Sequence, residues 1–221
     1  MKTGVVLFPG SNCDADAHWV LGELLGLRCD TLWHKEPIRE RYDLILVPGG
    51  FSYGDYLRCG AVASHSPIMG SVKQYADNGG LTLGICNGFQ VLCESGLLPG
   101  ALVRNIGTNF ICRDVSLRVS STNNPWTNQL KVGDELVLPI AHSEGRYIVD
   151  EQVYSAMKEK DQIVLSYAAN PNGSLFDIAG VCNESKNVFG LMPHPERASD
   201  LRTRHGMGIW QSFLNWSAQA R

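Results

Sequence analysis

The sequence has no stretch of about 18 consecutive apolar residues, which a membrane-crossing helix would need. Its opening, MKTGVVLFPGSN, holds too short an apolar run for a secretory signal and reads as a first strand. It has no basic excess either: 19 Lys and Arg against 22 Asp and Glu give a formal net charge of −3, which argues against a nucleic-acid partner. There is no internal repeat, no low-complexity tract and no linker rich enough in Gly, Ser or Pro to mark a boundary. One domain over residues 1–221 is therefore expected. The seven cysteines form no C-x-x-C pair and no H-E-x-x-H occurs, so motif spacing supports no metal site. Without a secretory signal, those cysteines point to free thiols in a reducing, cytoplasmic compartment. Phosphate loops of the G-x-x-x-x-G-K-S/T or G-x-G-x-x-G kind are missing, and so is an acidic cluster suited to Mg²⁺. ATP chemistry is not assigned to this chain.

What the chain does contain is an alternation of short apolar runs with helix-compatible stretches. GVVLF, CDTLW, YDLILV and LTLGI read as strands, the third stopping at Pro48. Between them lie a helical stretch over 15–27 and a second helix in SPIMGSVKQYADNGG, where Ser66 can cap, Pro67 suits the first turn and Gly79 can end it. NGFQVLCESGLL gives a third helix, with Gly96 near its end. This rhythm predicts parallel βαβ units with right-handed crossovers, in a sheet covered on both faces. From Gly100 the pattern changes to strands over 114–121, 134–149, 162–168, 177–183 and 187–196, with one helix near 151–160 and a last amphipathic helix in MGIWQSFLNW. The reading is an α/β fold with a mixed sheet.

Three segments carry chemistry. In GGLTLGICNGFQ, a cysteine sits between Gly84 and Gly88 at a strand-to-helix junction, the thiol version of a nucleophile elbow. The glycines suggest backbone bent to present Cys86 at the carboxyl edge of the sheet, with the next helix N-terminus favouring thiolate and the Asn87 N–H facing a developing oxyanion. The alternative is a buried cysteine in an ordinary turn. LMPHPER then supplies a histidine at a strand end, with Glu196 two residues after His194. In extended backbone these point the same way, so Glu196 can hold the imidazole while its other nitrogen faces Cys86. On its own this tripeptide is equally a capped strand end. VPGGFSYGD places Gly49 and Gly50 after a buried strand, where their N–H groups can reach a ligand and complete an oxyanion hole. By itself that segment is a glycine-rich turn. Cys13, Cys29, Cys59, Cys93, Cys112 and Cys182 are expected to be core thiols, and His18, His34 and His65 to serve packing or surface roles. The loop bearing His142, Glu144 and Arg146 is open between an ion-pair role and a functional one.

In that order and spacing, PGGFSYGD, GICNGFQ and MPHPE resemble the class I (triad) glutamine amidotransferases. FPGSNCD, FSYGDYLRCGA, AHSEGRY and PHPER extend the resemblance to the glutaminase subunits of phosphoribosylformylglycinamidine synthases. One departure is Ser143, where the family pattern has glycine. The resemblance implies a flavodoxin-like class I glutamine amidotransferase fold, a mostly parallel central sheet with helices on both faces and extra antiparallel strands. It implies Cys86 as nucleophile, His194 as base and acid, Glu196 as its partner, Gly49, Gly50 and Asn87 around the oxyanion, and Gln90 on the substrate. It also implies that glutamine is the substrate and that no cofactor is held by this chain. ATP, Mg²⁺ and formylglycinamide ribonucleotide then belong to a large synthetase subunit, with a small accessory subunit beside it.

Two other readings remain open. An amidotransferase subunit of another synthetase would share the triad, and a self-sufficient intracellular cysteine hydrolase would share the elbow. Glutaminase activity without peptidase activity separates the last from the rest.

Overall fold

The computed structural model describes residues 1–200 and 202–219. Its strands are β1 (Lys2–Leu7), β2 (Arg28–Trp33), β3 (Leu44–Val47), β4 (Thr82–Ile85), β5 (Ala101–Val103), β6 (Ile111–Val119), β7 (Glu135–His142), β8 (Arg146–Ile148), β9 (Ile163–Tyr167), β10 (Ile178–Cys182) and β11 (Val188–Leu191). The α-helices are α1 (Asp14–His18), α2 (Ala61–Ser64), α3 (Pro67–Asp77), α4 (Asn87–Glu94), α5 (Glu151–Glu159) and α6 (Met207–Gln219).

Nine strands form one sheet in the order β2-β1-β3-β4-β11-β10-β9-β6-β7. Pairing is parallel from β2 through β11 and antiparallel from β11 through β7. The burial patterns follow this division. Every residue of β3, β4 and β11 is buried, as strands sandwiched between helix layers require. Along β6 and β7 buried and more exposed residues alternate, so one face of that hairpin looks to solvent. β5 and β8 make a separate two-stranded sheet.

The placement of the site follows from three neighbours. β3, β4 and β11 lie side by side and parallel, with Val47 opposite Gly84 and Leu191 opposite Ile85. Their carboxyl ends therefore open at one edge, and the glycine pair, the cysteine elbow and the His-Pro-Glu segment meet there. α4 is drawn tightly against this edge. A Cβ on Gly88 would stand 1.9 Å from the Val47 carbonyl oxygen, and one on Gly84 2.7 Å from the Gly88 oxygen.

Several expectations from the sequence change. The helix expected over 15–27 is α1 followed by a π-helical segment, Trp19–Leu24. Ser66 stands at the start of α3 without capping it; its hydroxyl pairs with the Tyr53 hydroxyl at 2.9 Å. The stretch 134–149 divides between two sheets, β7 pairing with β6 and β8 with β5. β5 has no counterpart among the expected strands, because three residues are too few to show a period.

The close approach at Gly88 makes a prediction. Gly88→Ala should destabilise the fold by about 3 kcal/mol or more, since backbone must move to admit the methyl group. Gly70→Ala, at an open position within α3, should stabilise it by roughly 0.5–1 kcal/mol. Urea unfolding midpoints of the two variants check both signs.

Candidate active site

Cys86 links β4 directly to α4, and its backbone lies at φ 50°, ψ −106°. That is a sparsely populated region for a residue with a side chain, with a cost on the order of 1–3 kcal/mol. From sequence alone the bend falls to the flanking glycines. In the structure Cys86 itself carries the unusual dihedrals, while Gly84 and Gly88 provide room for α4 to approach. The Cys86 N–H donates to the Leu191 carbonyl at 2.8 Å, tying the elbow to β11, and its Sγ lies 3.8 Å from the Ala141 carbonyl.

His194 follows β11, and its N–H donates to the Pro139 carbonyl of β7 at 2.9 Å. The ring is buried, and its Nδ1 lies 2.5 Å from Glu196 Oε1. The pair forms by a different route from the one expected. The chain is not extended through it: Pro195–Ala198 is a 3₁₀ turn that folds the carboxylate back beneath the imidazole. Burial opposes a charged ring, yet the Glu196 carboxylate, then the Cys86 and Cys13 thiols, outweigh it and raise the His194 pKa well above its usual 6.5. Its Nε2 is buried and has no hydrogen-bond partner among the described residues.

Cys86 and His194 line one cavity of about 100 Å³, together with Asn12, Cys13, Gly50, Phe51, Phe110, Ala141 and Arg197. Gly50, at φ 139°, is held against the loop after β1, where a Cβ would lie 2.7 Å from the Asn12 nitrogen. The Phe51 N–H donates to the Gly10 carbonyl at 3.0 Å, and the Cys13 N–H to the Gly49 carbonyl at 3.3 Å. Gly49 stands behind the wall rather than in it. A Cβ there would be 2.8 Å from His194 Cε1 and 3.0 Å from Cys13 Sγ, so glycine leaves space for the imidazole. Phe51 and Phe110 stack at 6.5 Å, both largely exposed.

Asn87 and Gln90 are buried and do not line the cavity; their side chains bind protein. Asn87 Oδ1 accepts from the Ser52 N–H at 3.2 Å, and its Nδ2 donates to Gln90 Oε1 at 2.8 Å. Gln90 Nε2 donates to the Glu144 carbonyl at 2.7 Å. The first turn of α4 thus ties the 49–55 loop to the 142–146 loop. Ser143, in place of the family's glycine, does not have left-handed backbone.

Sequence reasoning missed Asn12, Cys13, Phe51, Phe110, Ala141 and Arg197. Cys13, expected in the core, faces the cavity. Cys112, expected there too, is exposed, and Cys29 is half-buried. Arg197 Nη2 donates to Cys13 Sγ at 3.3 Å and its Nε to Asp16 Oδ2 at 3.0 Å. The available signal was the pairing of FPGSNCD with PHPER, two segments that only the fold brings together.

Known proteins share this geometry. A family model described as a CobB/CobQ-like glutamine amidotransferase domain matches residues 1–216. The chain belongs to this amidotransferase family. It is 56% identical over 218 residues to a phosphoribosylformylglycinamidine synthase subunit PurQ from Alkaliphilus metalliredigens, covering 98% of this chain and 96% of that one. A subunit of the same name from Koribacter versatilis is 52% identical over 230 residues, covering 99% and 100%. The structure of PurLQS from Thermotoga maritima contains a chain 45% identical, with a TM-score of 0.90 over 97% of this chain and 98% of that chain. The class I glutamine amidotransferase fold is thereby shown.

His142, at the end of β7, is the amidotransferase site's second buried histidine. Neither ring nitrogen has a partner among the described residues. Burial first, then the nearby His194 charge, pushes its pKa down to about 4. The unfolded chain takes up this proton below about pH 6.5 and the folded chain does not until about pH 4, so stability falls with acidification across that window. The contribution is on the order of 3 kcal/mol. His194, with its raised pKa, acts at the other end: its stabilisation is present below pH 6.5 and is lost as pH rises through its folded value. His142→Gln should therefore flatten the decline of the urea midpoint between pH 6.5 and 4 and leave the alkaline limb intact. An unchanged acid slope would contradict this assignment.

Proposed function

We infer that the chain is the glutaminase subunit of phosphoribosylformylglycinamidine synthase, supplying nitrogen for the conversion of formylglycinamide ribonucleotide to formylglycinamidine ribonucleotide in purine biosynthesis. The single observation that carries the chemistry is a buried His194–Glu196 pair sharing a small cavity with a cysteine on a strained elbow.

The Cys86 sulfur attacks the side-chain amide carbon of glutamine while its proton rests on His194. The tetrahedral oxyanion is met by the Gly50 and Asn87 N–H groups. His194 then passes the proton to the amide nitrogen, which leaves as ammonia, and a γ-glutamyl thioester remains on Cys86. Water attacks this thioester, giving its proton to His194; the sulfur departs, takes that proton back, and glutamate is released. Glu196 keeps the imidazole oriented and balances its charge without becoming protonated. Among the described residues lining the cavity, Arg197 is the one with a permanent positive charge, and it is placed to meet the glutamine α-carboxylate.

Ammonia is consumed elsewhere. The partners are a PurL-type synthetase subunit and a small PurS-type subunit, and ATP and Mg²⁺ are used on the synthetase. No helix among the described residues is long and apolar enough to cross a membrane, and the cytoplasm is the compartment that fits this reading.

The test uses the assembled synthase. Cys86→Ser should lower glutamine-supported amidation by about a thousandfold or more and leave ammonia-supported amidation near the unmodified level. Glu196→Gln should lose less than Cys86→Ser or His194→Ala, because packing still holds the imidazole in part. Loss of both nitrogen sources in correctly folded Cys86→Ser would contradict the glutaminase assignment.

A further inference from the structure

Glutamine hydrolysis leaves Cys13 without a task. Its thiol is 3% exposed and shares the cavity wall with Cys86 and His194. It donates to Asn12 Oδ1 at 3.2 Å and accepts from Arg197 at 3.3 Å. One ligating atom from each of Cys13, His194 and Glu196 lies within 4.8 Å of the other two. A second observation points to a ligand here: His194 Nε2 and Glu196 Oε2 are both buried and lack a hydrogen-bond partner among the described residues. Each presents a lone pair to which nothing in the described protein donates, beside two sulfur atoms.

We propose that the cavity binds a divalent ion of the zinc class through Cys13 Sγ, Cys86 Sγ and His194 Nε2, and that this ion and glutamine exclude each other. Thiolate and imidazole together select zinc over magnesium or calcium. A carboxylate behind the ligating histidine is the usual outer partner, and Glu196 already occupies that place on Nδ1. Zinc sits about 2.3 Å from sulfur and about 2.0 Å from imidazole nitrogen, so atoms no more than 4.8 Å apart reach a common ion by small side-chain rotations. Arg197 is the cation beside this wall, and its charge is shared with Asp16. On coordination each thiol gives its proton to solvent, and the nucleophile and the base are both taken out of use. No C-x-x-C spacing announces such a site, because its ligands follow three different strands of the sheet.

The site stands on geometry and not on the glutaminase reading, so the deciding readout is metal binding by the full chain. Co²⁺ serves as a spectroscopic probe for thiolate ligation, and Zn²⁺ affinity is measured by competition with a chromophoric chelator. One Co²⁺ per chain with thiolate charge-transfer absorption is expected. Cys13→Ser should weaken Zn²⁺ binding by about tenfold or more and reduce that absorption, while Cys112→Ser, which alters an exposed thiol, should change neither. Alkylation of Cys86 by an electrophilic glutamine analogue should abolish the absorption, which keeps the proposal testable if Cys13→Ser does not fold. Absence of thiolate absorption, unchanged Zn²⁺ affinity in folded Cys13→Ser, or full absorption after Cys86 alkylation would each overturn it.

Discussion

The backbone of Cys86, held at φ 50°, ψ −106°, is the constraint that organises the site. A side chain in that region is disfavoured by a few kcal/mol and persists only where its surroundings leave no alternative. Here β4 is fixed between β3 and β11, and α4 is pulled in until only glycine fits at position 88. The force behind that approach is burial. Phe89, Val91 and Leu92 on α4 are fully buried, and each contributes roughly 1.5–3 kcal/mol relative to exposure. Hydrophobic packing several residues away thus offsets the local strain, and the sulfur is held at the sheet edge before any substrate arrives.

The same helix organises the loops around the sulfur. Asn87 and Gln90 join the 49–55 loop to the 142–146 loop through buried side-chain hydrogen bonds. Glu144 continues the connection, accepting from the Cys59 N–H at 3.4 Å and facing Arg104 at 3.6 Å. Because these side chains are spent on protein, the cavity wall is built by others. The loop after β1 supplies Asn12 and Cys13, and the 3₁₀ turn after His194 supplies Arg197. A change in either loop would therefore be felt at α4, and from there at the elbow.

Much of this was legible in the sequence. Buried strands read as continuous apolar runs, and the half-exposed hairpin β6–β7 read as alternation, since each pattern reflects which faces are covered. The elbow was visible because glycines at Gly84 and Gly88 leave room for a helix to close on the strand that ends at Cys86. What escaped was of two kinds. The conformational detail at Cys86, the 3₁₀ turn at Pro195 and the π-helical segment after α1 are set by tertiary packing, which local propensity does not encode. Cys13 and Arg197 escaped because no spacing links them; parallel strand order alone puts the loops after β1, β3, β4 and β11 side by side. Gln90 was placed on the correct helix face, yet that face meets the 142–146 loop instead of the cavity.

All of this geometry serves one chemical event, the transfer of the γ-glutamyl group to Cys86 during turnover. It is observed most directly by acid quench of the assembled synthase while it hydrolyses glutamine, followed by peptide mass spectrometry of this chain. A γ-glutamyl adduct is expected on the peptide containing Cys86, labile to hydroxylamine as a thioester is, with Cys13 unmodified. An adduct on Cys13, or rapid ammonia release with no adduct on Cys86 at any quench time, would contradict the mechanism.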